Sequence, residues 1–356
     1  MVEAMTKTGS MVEIDGSYGE GGGQILRTGL AYSAILSKPI KITRIRAGRK
    51  NPGLQPQHLK SIEALAKITK ARTDGVKIGS NGITFIPEEI VPGHYEFDIG
   101  TAGSVTLLLQ TLLLPLSLCQ LSSSLVLTGG THVEWSPPFG YLSEILFPPL
   151  ASMGIQAKAE IGKWGWYPRG GGRIEIEIHP ASDLSPVLLN HRGFLKRIYG
   201  ISAISNLPNH VAERQRDRAL KRIERDLKLE AEIEILSEIP SSGPGSFLFL
   251  VAESEGVKAG FSSLGRKGKR AEEVADEAVD SLKEYMESDG CVDPHLADQL
   301  VPFMAFAKGS SSFTTTRITE HLLTNLWVIE HFLKISVSRS GNKGERGRID
   351  LIPASY

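Results

Sequence analysis

The sequence predicts an α+β protein: a large domain of three βαβαββ-type repeats, with a smaller α+β unit inserted before the last of them. Three observations carry this. The order strand, helix, strand, helix, strand, strand runs from Met11 to Ile86, recurs from Tyr95 to Ile178, and returns from Asp293 onward without its first strand. The stretch between the second and third copies follows a different order. A chain of 356 residues also exceeds one ordinary single-core domain. The expected division is 1–187 for the first two repeats, 188–288 for the insertion and 289–356 for the third repeat.

Each element has a local reason. In the first copy, Met11–Ile14 is a short strand, Gly16–Gly23 a glycine-rich turn and Gln24–Leu36 a helix. Ile40–Ile45 is the second strand, Gln57–Lys70 the second helix, and Val76–Ile78 with Ile83–Ile86 alternate like a hairpin. In the second copy, Tyr95–Ile99, Ser104–Leu118, Leu125–Thr128, Tyr141–Met153, Ile155–Ala159 and Arg173–Ile178 follow the same order, with Pro137 and Pro138 opening the second helix. Strands Arg197–Ser202, Glu230–Ile235 and Phe247–Ala252 with helices Val211–Leu227 and Ala271–Met286 make up the insertion. The third copy runs through Leu296–Ala307, Phe313–Thr316, a helix begun by Thr319, Ile335–Ser338 and Arg348–Ile352. In that helix Leu322, Leu326, Ile329 and Leu333 form one apolar stripe, which leaves His321 in the first turn, one helical turn from Asn325.

Charge and cysteine usage narrow the function. The 40 basic and 40 acidic side chains cancel, so contact with a polyanion has to come from local clusters. Two cysteines, Cys119 and Cys291, suit neither a disulfide framework nor a zinc site and point to a reducing, cytoplasmic compartment. The apolar run Val105–Leu121 is broken by Gln110 and Pro115 and reads as a core helix, so no membrane association is expected. Met1–Ser10 reads as a disordered lead-in.

Several residue types stand where chemistry is feasible. His321 lies at a helix start, where free N–H groups and the helix dipole attract anions and favour a neutral imidazole. Taken alone, it reads more simply as a polar residue bonding to nearby backbone. Gly19-Glu-Gly-Gly-Gly23 lets backbone approach phosphate closely and carries a carboxylate, Glu20, suited to a divalent metal. Arg27, Arg46 and Arg49 cluster about that loop and the next strand end, and guanidinium forks suit phosphate. Gln110 is a polar residue in an apolar helix, and His295-Leu-Ala-Asp-Gln299 opens another helix. Trp164, Trp166 and Tyr167 suit base stacking or, more simply, a hairpin core.

Six stretches together resemble the RNA 3′-terminal phosphate cyclase family: DGSYGEGGGQILR at Asp15–Arg27, IRAGRKNPGLQPQHL at Ile45–Leu59, GTAGSVTLLLQT at Gly100–Thr111, YPRGGG at Tyr167–Gly172, HLADQL at His295–Leu300 and EHLLTN at Glu320–Asn325. The resemblance implies a fold shared with the enolpyruvyl transferases. It implies ATP-dependent conversion of a 3′-terminal RNA phosphate into a 2′,3′-cyclic phosphodiester, with magnesium or manganese. His321 would be the nucleophile that becomes adenylylated. Gln110, His295, Leu296, Ala297, Asp298 and Gln299 would hold the nucleotide, Pro137 would lie against adenine, and Glu20 would carry the metal. Arg27, Arg46, Arg49 and Gln57 would neutralise phosphates of ATP or RNA. Non-catalytic cyclase-like proteins of ribosome biogenesis lack the histidine, and an enolpyruvyl transferase lacks the insertion and the EHLLTN motif. The insertion carries no pattern that assigns it a task, and RNA docking and a homodimer surface both stay open.

Overall fold

The computed structural model describes residues 10–353, so all of the expected lead-in but Ser10 lies outside the described residues. The first repeat comprises β1 (Val12–Asp15), α1 (Gly23–Leu36), β2 (Ile40–Thr43), α2 (Pro56–Thr69), β3 (Arg72–Asp74) and β4 (Ile83–Ile86). In the second, β5 (His94–Asp98), α3 (Val105–Ser117) and β6 (Ser123–Gly129) precede a composite helix, which is followed by β7 (Ala157–Lys163) and β8 (Gly172–Ile178). The composite helix starts as α4 (Phe139–Tyr141), passes through a π-helical turn at Leu142–Leu146 and ends as α5 (Phe147–Ser152). Pro148 and Pro149 have no N–H to give to the ordinary helical ladder, which accounts for the irregular turn before them.

A two-residue strand, β9 (Leu188–Leu189), comes next, ahead of the insertion. The inserted segment holds β10 (Leu195–Ser205), α6 (His210–Leu227), β11 (Ala231–Leu236), β12 (Gly245–Ser254), β13 (Lys258–Leu264) and α7 (Ala271–Glu287). The chain closes with α8 (Pro294–Met304), β14 (Ser311–Thr315), α9 (Glu320–Glu330), β15 (Ile335–Ser340) and β16 (Gly347–Pro353).

Three of the four sheets share one plan. The orders β1-β2-β4-β3, β5-β6-β8-β7 and β9-β14-β16-β15 are the same order written three times, with the first pair parallel and the rest antiparallel. The third repeat therefore has a first strand after all. Leu188 and Leu189 pair with Ser312 and Phe313, so the insertion interrupts the third repeat rather than preceding it. Two residues between prolines and a loop leave no periodicity to read, which is why the strand is invisible in the sequence.

Two other elements differ from expectation. The first repeat's hairpin uses Arg72–Asp74, not Val76–Ile78, as its outer strand. Arg72–Asp74 is exposed throughout and so lacks an apolar face, while Gly75 and Gly79, both at positive φ, bend the intervening loop. The insertion has an unforeseen strand, β13. It contains Gly260, whose added Cβ would fall 2.7 Å from the Ile145 side chain, so close packing replaces the usual β-branched signature.

Alternation places the faces. Ile174, Ile176 and Ile178 of β8 are buried while Arg173, Glu175 and Glu177 point outward. α3 is apolar nearly all round because it is enclosed, with Leu108, Leu109, Leu112 and Leu113 at most 1% exposed. Each such side chain contributes about 1.5–3 kcal/mol on burial. One continuous core joins the three repeats, and α1 packs against α2, α3 and α9 while α8 packs against α9. The inserted segment has a smaller core of its own, in which Ala219 and Ile223 of α6 and Ala275, Ala278 and Leu282 of α7 cover β12 and β13. Helices from all three repeats thus pack about α1.

Candidate active site

α9 begins as its sequence requires. Thr319 is extended, and its hydroxyl accepts the Leu322 N–H at 3.1 Å, which starts the helix and exposes the imidazole of His321 in its first turn. The glycine loop is pressed against this helix from the other repeat. Gly19 and Gly21 have φ of 57° and 55°, and a Cβ on Gly19 would lie 2.4 Å from the Thr324 hydroxyl. Only glycine lets that loop approach, and the approach delivers Glu20.

Glu20 bridges two partners. One carboxylate oxygen lies 3.0 Å from His321 Nδ1, and the other accepts from Arg49 Nη2 at 3.0 Å. A carboxylate can only accept, so Nδ1 carries the proton and the lone pair of neutral His321 sits on Nε2. Loss of hydration pulls the imidazole below its ordinary range, against the upward pull of Glu20 and aided by Arg27. Gln24 of α1 donates its amide to the His321 carbonyl and ties the two helices together.

The arginines are not equivalent. Arg27 is half-buried, and desolvation lowers its guanidinium to about 10 despite the attraction of Asp298. No carboxylate lies within ion-pair distance of it among the described residues. Arg46, at φ 55°, donates to the carbonyls of Asn51 at 2.8 Å and Gly53 at 3.3 Å, so it braces its own loop. Desolvation and the neighbouring Arg49 hold Arg46 below its usual range. Gln57 is engaged elsewhere: its Oε1 accepts the Ser104 N–H at 2.9 Å at the start of α3.

A second group of residues adjoins the first. Gln110 of α3 donates to Gln299 of α8 at 2.7 Å, and Gln299 in turn donates to the His295 carbonyl at 2.9 Å. Asn325 donates to the Asp298 carbonyl at 2.7 Å and accepts from Thr28 at 2.8 Å, which links α8, α9 and α1 one turn beyond His321. Burial, with Asp293 adding to it, raises the Asp298 carboxyl well above the usual range. Leu296 and Ala297 are wholly buried, so their side chains pack in the core and leave only their backbone to meet a nucleotide. His295 is exposed, and half-buried Pro137 is anchored by the Thr106 hydroxyl, which donates to its carbonyl at 2.7 Å.

His58 is the residue that sequence reasoning missed. Its Nδ1 accepts the Gln55 N–H at 3.2 Å as part of a capping box at α2, and its Nε2 would be 2.2 Å from a Cβ on Gly23. Desolvation, Arg27 and Arg46 lower it to about 3, so it is neutral and keeps its Nε2–H directed at the glycine loop. The only sequence signal was its place beside Gln57 at a helix start. Trp164 and Trp166 are buried, with Trp164 stacked at 3.8 Å on His132, whereas Tyr167 is exposed.

A capped helix start bearing a neutral imidazole, a carboxylate on its Nδ1, a glycine loop and unpaired cationic charge suit a nucleophile acting on a phosphoryl group. The family model described as RNA 3′-terminal phosphate cyclase matches residues 18–338. An RNA 3′-terminal phosphate cyclase of Pyrococcus furiosus is 43% identical over 97% of this chain and 100% of its own length. Those of Methanopyrus kandleri and Archaeoglobus fulgidus are 43% and 45% identical, covering 97% and 94% of this chain and 99% of their own lengths.

Proposed function

From the chain's membership in the RNA 3′-terminal phosphate cyclase family, which the match over most of its length shows, we propose that His321 is the nucleophile of an ATP-dependent cyclisation of RNA 3′-phosphate ends. The observation that carries this reading is the contact between His321 Nδ1 and Glu20, which leaves Nε2 unprotonated and free to attack.

Nε2 forms a bond to the α-phosphorus of ATP as the bond to pyrophosphate breaks, which yields a phosphoramidate. An oxygen of the RNA 3′-phosphate then takes the adenylyl group, and His321 returns to its starting state. The adjacent 2′-hydroxyl attacks the activated phosphate, losing its proton as AMP leaves, and the ring closes. Dividing the reaction in this way spends ATP on a closure that is otherwise uphill. Arg27 and Arg49 offset charge on the phosphates, His58 holds the glycine loop from behind, and Arg46 keeps its strand end in shape. Gln110, Gln299, Asp298 and Pro137 form the side on which the nucleoside would rest.

Among the described residues no three His, Cys, Asp or Glu side chains gather as a metal cage. The single carboxylate of Glu20 fits a hard divalent ion, magnesium or manganese, shared with substrate phosphates. Such an ion would neutralise charge on the leaving pyrophosphate. Glu20 then has two partners to serve, and Arg49 would be the one to yield.

We also read the large unit as 1–187 with 289–356 and the strand at Leu188–Leu189, and we place the protein in the cytoplasm. Free Cys119 and Cys291 favour that compartment, and no helix among the described residues is long and apolar enough to cross a membrane.

Incubation with ATP labelled at the α-phosphate tests the central step. Acid-labile label on wild type, absent from His321→Ala, is the expected result. Folded wild type that takes no label with either metal would return the protein to the non-catalytic relatives.

A further inference from the structure

Trp135 is the most exposed large apolar side chain described, at 96%, and it stands on a backbone φ of 63°. A bulky residue in the left-handed region costs on the order of 1–3 kcal/mol and persists where the surrounding structure imposes it. That structure is visible. The Thr131 and His132 N–H groups donate to the Gly165 carbonyl at 3.0 and 3.2 Å, and the Gly165 N–H returns a bond to the Thr131 hydroxyl at 2.9 Å. Ser136 donates to the Val133 carbonyl at 3.0 Å, and Pro137 is held by Thr106. The loop is tied on both sides of Trp135, and the indole projects into solvent.

The loop these bonds reach carries a second exposed aromatic. Tyr167, 78% exposed, lies two residues beyond Gly165 on the partner loop. Around the pair the charge is positive. Arg169 donates to the Ser242 carbonyl at 2.8 Å and enters no ion pair among the described residues, nor does Lys267. Arg266, beside Lys267, reaches from the inserted segment to Glu134 at 3.4 Å, next to Trp135. Single exposed aromatics are commonplace on protein surfaces. Two on loops bonded to each other, one held in a strained conformation, with the unpaired Arg169 two residues from Tyr167 and the Arg266–Glu134 pair next to Trp135, make a patch with a specific chemistry.

We propose that Trp135 and Tyr167 are a stacking platform for the unpaired bases at the 3′ end of the RNA substrate, with Arg169 and Lys267 following its phosphodiester backbone. The proposal rests on the reading of the site given above and names how its RNA is held. The openness of Trp135 favours a chain-like ligand over the adenine of ATP, because small molecules are enclosed on most of their surface. Aromatic faces interleaved with cations suit single-stranded nucleic acid of any sequence. The position is consistent: Pro137 is two residues away and bonded to Thr106 of α3, Gln110 one turn along α3 bonds Gln299 of α8, and the neighbouring Asp298 carbonyl accepts from Asn325 of the His321 helix. The platform also gives the inserted segment a part, since Arg266 and Lys267 come from it.

The test compares a short single-stranded RNA ending in a 3′-phosphate with the same RNA made abasic at its last positions, by binding and by cyclisation. In wild type the abasic ends should weaken binding about tenfold to a hundredfold, as expected for lost base stacking. Trp135→Ala should show that loss with the intact RNA and no further loss with the abasic one, and Trp135→Phe should restore most of it. Indole fluorescence of wild type should fall when the intact RNA binds. Equal affinity of wild type for intact and abasic RNA, with cyclisation normal, would overturn the platform and leave the enzyme reading standing. Wild type that neither binds nor cyclises any 3′-phosphate RNA would remove that reading and the platform with it. Tyr167→Ala and thermal unfolding of each variant guard against a folding artefact.

Discussion

Glu20 Oε1 and His321 Nδ1 stand 3.0 Å apart, although one belongs to the first repeat and the other to the third. The carboxylate selects the tautomer in which Nε2 is the acceptor. It also raises the affinity of the ring for a proton, while desolvation lowers it.

Replacing Glu20 should therefore damage chemistry more than folding. Glu20→Ala is expected to slow transfer of label from ATP by about a hundredfold or more, as loss of an orienting carboxylate does elsewhere. Its thermal midpoint should stay near wild type, because Glu20 is half-exposed. Parallel losses of midpoint and label would make it a turn residue only.

The rate of labelling should depend on pH through His321. Only the deprotonated ring attacks, so the rate rises with pH and levels off once pH exceeds the imidazole value. Because that value is lowered, the plateau should begin below the usual histidine range near 6.5. Glu20 pulls the value up, so in Glu20→Gln the acid limb should move to lower pH even as the plateau rate drops. A single-turnover profile of both proteins reads this directly.

Arg27 is desolvated without a close carboxylate partner. Arg27→Met should raise the unfolding midpoint or leave it unchanged, by removing a costly buried charge, while lowering the labelling rate at least tenfold. A variant that loses stability and activity together would show that Arg27 is structural.

Arg49→Ala should raise the ATP or RNA concentration needed for half-maximal rate, and the rate should fall less steeply with added salt than in wild type, because one ionic contact to phosphate is gone. Its salt bridge to Glu20 is exposed, so little stability is at stake. Unchanged kinetics would free Arg49 from any phosphate role.

His132 is buried between Trp164, Trp166 and Phe247, and desolvation lowers it to about 3. Below pH 6.5 the unfolded chain takes up a proton that the folded chain refuses. Stability is thus present above that value and is lost as pH falls toward 3, by up to about 1.4 kcal/mol per pH unit for this ring. Urea unfolding across that window should show a shallower decline for His132→Phe than for wild type.

Most of the framework could be read along the chain. The stripe of Leu322, Leu326 and Ile329, the cap at Thr319 and the alternation in Gly172–Ile178 are local patterns with periods of 3.6 and 2, and each names its element and its buried face without help from distant residues. The recurrence of one element order likewise revealed a repeated architecture. Strands with no readable alternation, the fully exposed Arg72–Asp74 and the two-residue Leu188–Leu189, escaped because their partners across the sheet, not their own side chains, make them strands.

At the site the division is similar. His321, the glycine loop and the arginine cluster were evident from residue type and spacing. That Gln57 binds Ser104, that His58 backs the glycine loop, that Leu296 and Ala297 are enclosed and that Glu20 reaches His321 were decided only by the packing of three repeats on one core. Sequence periodicity records which way a side chain faces within its own element. Which group it meets depends on how elements far apart in the chain are brought together, and that is set by close packing at helix starts, down to the missing Cβ of Gly19 and Gly23.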